Sequence, residues 1–225
     1  MIIACDTSSV ICSVAVVHKG TCLWETHAEG GQIHIEKLSP FLHSAMDYCT
    51  QKGVDPSALA IAIGPGSFNG LRIGLATMKA LATSLKLSLI PVPTMDAMAL
   101  GMQGRLSGVS RAIIYSHRNF VHFADYNLSE AGKIMTPTFE YGPWDMLYQD
   151  HINHYFGKSD RGFETWLRSD APAGLQSKFI PIDSQASLVG QLAELRPDDG
   201  LHQLDALEPL YNAVYEAKKW VPPQF

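Results

Sequence analysis

The chain has 225 residues, 46% of them hydrophobic, 9% aromatic and 17% charged, and its 17 basic and 22 acidic side chains leave a formal net charge of −5. Disordered chains combine low hydrophobicity with high net charge, so this composition describes a folded protein of one large domain or two small lobes. A protein that holds nucleic acid unaided carries a basic stripe that neutralises phosphates; the densest basic stretch here is the pair Lys218-Lys219, which argues against a stand-alone RNA binder.

In chain order, residues 1–5 read as an apolar strand, Asp6-Thr7-Ser8-Ser9 as a polar turn, residues 10–17 as a β-rich strand, and residues 21–27 as an alternating strand closed by Gly30-Gly31. From His34 the period changes. Ile35, Leu38, Phe41, Leu42, Ala45, Met46 and Cys49 fall at i, i+3, i+4 spacing, which predicts an amphipathic helix ending before Gly53. Residues 59–63 form a short strand, Gly64-Pro65-Gly66-Ser67-Phe68-Asn69-Gly70 a glycine-rich turn, and residues 71–85 a second helix. That helix carries only Arg72 and Lys79 as charges, with Lys86 continuing their seven-residue spacing, so it is expected to be buried on most sides, in part against another chain. Residues 87–92 make a further strand, stopped by Pro91 and Pro93, and Thr94 N-caps a short helix through Met102.

Residues 104–108 mark a lobe boundary that divides the chain into 1–104 and 105–225. Beyond it, residues 109–115 and 119–126 suggest a hairpin, residues 133–140 a third strand, residues 187–195 a helix stopped by Pro197, and residues 207–220 a C-terminal helix or tail. Strands, then helices, then strands again suggest two α/β lobes on one plan, although their sequences are too dissimilar to count as a repeat.

The four cysteines (Cys5, Cys12, Cys22, Cys49) form no CxxC and read as small buried hydrophobes of a reducing compartment. Residues 1–6 lack the basic segment and apolar run of a signal peptide, and no stretch reaches the ~18 apolar residues of a spanning helix. The expectation is a cytoplasmic protein without membrane contact.

The glycine-rich turn is the strongest local signal, because a strand, glycines and a helix start bring free N–H groups and the positive helix end together. A P-loop fails, since Leu71 stands where its lysine belongs; a dinucleotide fingerprint fits poorly, with Gly70 one place late and no acid in residues 86–92. Physical reasoning favours a third reading, a tight turn that packs helix on strand, with Gly74, Ala76 and Ala80 allowing close approach. Asp6-Thr7-Ser8-Ser9 offers a carboxylate and hydroxyls to phosphate or Mg²⁺, or is simple turn chemistry. The histidines (His34 and His43, His117 and His122, His151 and His154) make neither HExxH nor HxxxH, and neither a metal nor a catalytic site is expected.

Ile3-Ala4-Cys5-Asp6-Thr7-Ser8-Ser9, Cys12-Ser13-Val14-Ala15, His34 at its helix start, Gly64-Pro65-Gly66-Ser67-Phe68-Asn69-Gly70-Leu71-Arg72-Ile73-Gly74 and Pro91-Val92-Pro93-Thr94 together resemble the TsaB (YeaZ-type) family. The resemblance implies an α/β, two-lobed actin/hexokinase/Hsp70-like (ASKHA) fold with an abbreviated second lobe. It implies a role in bacterial synthesis of threonylcarbamoyladenosine (t6A), the modified base beside the anticodon of tRNAs that read A-starting codons. In that family the chain is the non-catalytic paralogue, a scaffold or activator. It pairs with the transferase TsaD, which carries a metal-binding HxxxH. The ATPase TsaE docks on the pair, TsaC supplies threonylcarbamoyl-adenylate, and tRNA is met only through the complex.

The family pairs its subunits through the first-lobe helices. Carried over, that places His34, Leu38, Leu42, Ala45, Met46, Arg72, Ala76 and Lys79 at a partner interface, or between two copies of the isolated chain. Asp6, Thr7, Ser8, Gly64, Gly66, Ser67 and Gly70 become vestigial phosphate or glycine loops. No tightly bound cofactor is expected, and ATP or ADP would bind weakly or at the partner interface. Two departures stand out: Asn69 replaces the usual Thr, and Tyr115-Ser116-His117-Arg118-Asn119 replaces an Asp-Ala-Arg segment, with only Arg118 matching. Glu208-Pro209-Leu210-Tyr211 resembles the family's C-terminal Pro-x-Tyr stretch. The alternatives are a small-molecule phosphotransferase of the same fold, using Asp6 and the glycine loop, and a glycoprotease-like metallopeptidase.

Overall fold

The computed structural model describes residues 1–130, 132–158 and 161–211. Its first half runs β1 (Ile2–Asp6), β2 (Ile11–His18), β3 (Thr21–Glu29), α1 (Ile33–Gln51), β4 (Ala58–Gly64), α2 (Phe68–Leu85), β5 (Ser88–Pro93) and α3 (Thr94–Met102). The second half runs β6 (Val109–His117), β7 (Phe120–Asn127), β8 (Glu140–Pro143), β9 (His154–Lys158), α4 (Arg161–Ser169), α5 (Ala173–Gln176), β10 (Phe179–Pro181) and α6 (Ala186–Leu195).

The strands form two sheets, ordered β3-β2-β1-β4-β5 and β10-β9-β6-β7-β8. Both obey one plan. The opening strand (β1 or β6) lies in the middle, pairs antiparallel with the next strand, and is followed on that side by a third. On its other flank it pairs parallel with β4 or β9, which in turn pairs parallel with β5 or β10. The duplication suggested by the order of predicted elements is therefore real in topology. The second copy is trimmed: β8 and β10 have four and three residues against nine and six in β3 and β5.

Alternation along the strands sorts the core into layers. Ile3 and Cys5 join Leu38, Leu42, Ala45, Leu75 and Met78 on the side of α1 and α2, whereas Ile2 and Ala4 join Ala112, Ile114 and Phe156 in a layer shared by both sheets. Helices α3 and α6 fill this shared layer, and α4 and α5 cover the outer face of the second sheet around Ile113, Phe163 and Leu175. Strands buried on both faces read as unbroken apolar runs, which is why β1 and β4 looked so hydrophobic.

Helix α6 belongs to the second half by sequence but docks on the first sheet. Ser13 Oγ accepts the Ala186 N–H at 3.0 Å and Glu25 Oε1 the Ser187 N–H at 2.9 Å. At the far end, the Glu194 carboxylate accepts the amides of Lys19 and Gly20. Residues 201–211 follow it back: Leu201 bridges antiparallel to Leu89, Leu204 is buried, and the Leu210 N–H donates to Ile63 O at 2.8 Å.

Three sequence expectations change. Pro91 and Pro93 do not stop the strand but lie within β5, an edge strand where a missing N–H is tolerated. Thr94 does not cap its helix; Pro93 holds that position, and Thr94 Oγ1 accepts the Gly64 N–H at 3.1 Å instead. Residues 133–139 are irregular rather than a strand. Side chains from elsewhere take their polar groups, with Gln103 on Lys133 O, Arg196 on Ile134 O and the Thr136 hydroxyl on Asp96. Of the expected C-terminal helix or tail, residues 207–211 are described without regular structure, and residues 212–225, including Lys218-Lys219, lie outside the described residues.

Two buried charges, one in each half of the chain, hold polar networks together. Asp96, fully buried at the start of α3, accepts from Tyr126 Oη at 2.7 Å, from the Thr136 hydroxyl and from Arg196 Nη1 at 2.8 Å, so it ties α3, β7 and the end of α6 together. Arg111, 2% exposed, makes a two-pronged pair with Asp125 at 2.6 and 2.8 Å and donates to Leu147 O and Gln149 Oε1. Removing one member of such a pair strands the other charge. Asp125→Ala is expected to cost about 3–5 kcal/mol in urea unfolding; a loss under about 1 kcal/mol would show that solvent reaches the guanidinium.

Candidate functional site: the polar turn and paired helices of the first lobe

The turn between β1 and β2 starts from Asp6, whose Oδ1 accepts the Ser8 N–H at 2.7 Å, the usual way an aspartate closes a tight turn. Asp6 is 2% exposed, and Oδ2 has no aligned partner among the described residues. Burial pushes the Asp6 carboxyl above its ordinary pKa. The Ser184 hydroxyl beside it and Ser8 draw the value back down, and the Asp183 charge adds to the rise.

The glycine motif packs directly on this turn. A Cβ at Gly66 would stand 2.3 Å from Ser8 O, one at Gly70 2.1 Å from Thr7 O, and one at Gly74 2.1 Å from Thr7 Oγ1. These three positions, four residues apart, form one bare flank of α2 and its approach, and only hydrogen fits there. Ser67 starts the helix by accepting the Gly70 N–H on its side chain at 3.2 Å, while its own N–H donates to Ser8 O at 2.7 Å. His34, 8% exposed at the start of α1, completes the junction with Nε2 2.9 Å from Ser9 O and its ring against Gly70.

The amides of Gly64, Ser67 and Gly70 thus already serve the chain's own oxygens. Of the sequence-predicted loop residues, Asp6, Thr7, Ser8, Gly64, Gly66, Ser67 and Gly70 do come together, in the arrangement of a packed joint between turn and helix rather than an open phosphate cradle.

The interface residues divide. Leu38, Leu42 and Ala45 are 1%, 6% and 0% exposed and face the chain's own sheet, and His34 is engaged with Ser9. These four are corrected from partner contacts to core, because the apolar stripe that helical periodicity reveals is the one the sheet covers. Met46 is half-buried against the same cluster. Arg72 and Ala76 are exposed and Lys79 partly so, on the outer side of α2 beside the exposed Phe68 and Ala80, with Ile35 of α1 69% exposed.

Sequence reasoning missed a cluster here. Arg72 Cζ sits 3.8 Å over the Phe68 ring, and Arg72 Nε donates to Tyr211 Oη at 3.0 Å. The i, i+4 spacing of Phe68 and Arg72 was the available signal.

Among the described residues no three His, Cys, Asp or Glu side chains gather as metal ligands. His122 is buried and its pKa is lowered to about 4, first by desolvation and then by His117. All four cysteines are free, and Cys12 is raised to about 11 by burial and Asp6. No helix among the described residues is long and apolar enough to cross a membrane.

Two duplicated sheets, helices between and outside them, and a polar turn at the end of the first strand define a two-lobed α/β protein of the actin/hexokinase/Hsp70 type. The family profile described as TsaD, tRNA N6-adenosine threonylcarbamoyltransferase, matches residues 28–117. The tRNA threonylcarbamoyladenosine biosynthesis protein TsaB of Escherichia coli K12 is 34% identical over 134 residues, covering 58% of this chain and 57% of that relative. TsaB of Bacillus subtilis 168 is 32% identical over 98 residues, covering 44% and 43%. In sequence, the chain spans about half the length of the curated relatives it matches. A solved structure, YeaZ from Pseudomonas aeruginosa, superposes with a TM-score of 0.74 at 22% identity, covering 93% of this chain and 98% of that one, and so shares its fold. These matches support the resemblance carried by the motifs: the chain is similar to TsaB proteins in sequence and shares the YeaZ fold.

Gly70→Ala is expected to destabilise the protein by about 1–3 kcal/mol through overpacking, whereas Gly31→Ala, with open space at its Cβ, is expected to be close to neutral. Equal melting temperatures for the two would contradict the packed joint. Asp6 gives a pH-dependent test. Because its folded pKa is raised, its charge destabilises the fold increasingly as pH climbs from the unfolded value of about 4 through the folded one. Asp6→Asn keeps the acceptor for Ser8 and is expected to raise the melting temperature at neutral pH, the gain vanishing below about pH 4.

Proposed function

We propose that this chain is a non-catalytic scaffold subunit of bacterial t6A modification, pairing with a TsaD-type transferase through the outer face of α1 and α2. In this reading a TsaE-type ATPase and a TsaC-type synthase act in the same cytoplasmic pathway, and tRNA is reached through the assembled complex. The observation that carries it is the outward surface of α2: an 18-residue helix with two charges that exposes Phe68, Ala76 and Ala80 while its inner flank is fixed on the polar turn. A rigid, weakly charged helix face beside a second helix suits helix-bundle packing against another protein. The engaged amides of Gly64, Ser67 and Gly70 support a paralogue that keeps the loop for packing rather than for phosphate chemistry. The t6A assignment is supported by the names of the Escherichia coli and Bacillus subtilis relatives.

One observation favours a second reading, a phosphotransferase: the buried Asp6 with Oδ2 unaligned to any partner beside Ser184. Calorimetry with Mg-ATP separates the two, since micromolar binding with turnover belongs only to the enzyme. For the scaffold, Ala76→Arg is expected to abolish co-purification with the transferase while leaving the melting temperature unchanged, because Ala76 is exposed. Depleting the gene is expected to lower t6A in hydrolysed total tRNA. Undiminished t6A would remove the proposal.

A further inference from the structure

Arg72 is exposed one turn into α2, yet two aromatic side chains engage its guanidinium. Its guanidinium lies 3.8 Å from the Phe68 ring centre and 5.6 Å from that of Tyr211, Nε donates to Tyr211 Oη at 3.0 Å, and the two aromatic rings pack at 5.1 Å. Tyr211 is delivered to this place by the returning segment, pinned by the Leu201–Leu89 bridge and by the Leu210 N–H on Ile63 O.

The hold engages Nε and the guanidinium face. Among the described residues the two Nη groups donate to no oxygen, and no carboxylate pairs with Arg72, Lys79 or Lys86. Helix α2 contains no acidic residue, so among the described residues these three cations form a stripe that no carboxylate pairs, on a protein of net charge −5. An arginine whose rotamer is fixed before binding loses little further entropy on docking, and its planar fork matches a carboxylate with two parallel hydrogen bonds. Clamped arginines and aromatics are also the residue types that dominate binding energy at interfaces.

We propose that Arg72 is the recognition residue of this helix face, held by Phe68 and Tyr211 as a fixed fork for a carboxylate on the docking helix of the partner protein. The inference rests on the pairing proposed above and gives that surface its chemistry: the partner presents acid opposite the Arg72–Lys79–Lys86 stripe. It also gives Tyr211 a purpose, as a positioning residue for Arg72.

The test measures the affinity of the full chain for the purified TsaD-type transferase of the same organism. Arg72→Lys keeps the charge but loses the fork and the stacking, and is expected to weaken binding about tenfold or more. Tyr211→Phe keeps the ring and loses only the oxygen that accepts from Nε, and is expected to weaken binding by a smaller, measurable factor. The wild-type dissociation constant is expected to rise with salt, and Arg72→Ala to flatten that dependence. Wild-type binding that both Arg72→Lys and Tyr211→Phe leave within twofold would overturn the role of Arg72 while leaving the pairing intact. Failure of the wild-type chain to bind would remove both.

Discussion

The contact on which the first lobe depends is the approach of a helix flank to a backbone carbonyl. At Gly66, Gly70 and Gly74 a methyl group would overlap the Ser8 carbonyl, the Thr7 carbonyl and the Thr7 hydroxyl. Three hydrogen atoms in a row therefore set the distance between α2 and the β1–β2 turn. That distance seats His34 against Gly70 and the start of α1 beside α2. The outward face of the helix pair inherits its geometry from this joint. A motif that looks built to wrap a phosphate is here used to let two pieces of backbone touch.

The same joint explains why a polar loop can lie in so buried a place. Asp6 closes the turn through Ser8, the Ser8 carbonyl accepts from Ser67, and the Ser9 carbonyl meets His34. Buried polar groups are tolerated when partnered, and most of this turn is partnered by the elements packed on it. Two atoms of the turn lack a partner among the described residues: Thr7 Oγ1, which faces Gly74 of α2, and Asp6 Oδ2, which lies toward Ser184 and the segment leading into α6. The turn is thus held on one side by helices of its own lobe and on the other by the returning second half of the chain.

Much of this was legible in the sequence, for a physical reason: the first lobe is built from long elements whose periodicity outweighs local detail. The alternation of β3 and the spacing of Leu38, Leu42, Ala45 and Cys49 marked their elements within a residue or two. That spacing also misled, since a stripe of leucines says that a helix face is buried without saying against what. Pro91 misled because its meaning depends on whether its strand is an edge, and strand order is not local information. Residues 133–139 have β-like composition but are held by Gln103, Asp96 and Arg196, partners 30 to 62 positions away. The Arg72 cluster was legible only in part, its third member Tyr211 lying 139 residues downstream.

The return of α6 and residues 201–211 to the first sheet also bears on how the molecule comes to exist. Both faces of β1 are covered in the folded protein, but one of those covers, α6, and the bridge partner of Leu89 are made long after it. A ribosome that has released the first hundred or so residues has exposed a sheet whose inner apolar face is covered only in part, by α3, and it must synthesise most of the second lobe before α6 arrives over β1 and β2. Contacts of such long sequence separation form slowly. The nascent first lobe is therefore a natural client for a chaperone, and its two lobes are better regarded as one folding unit than as beads on a string.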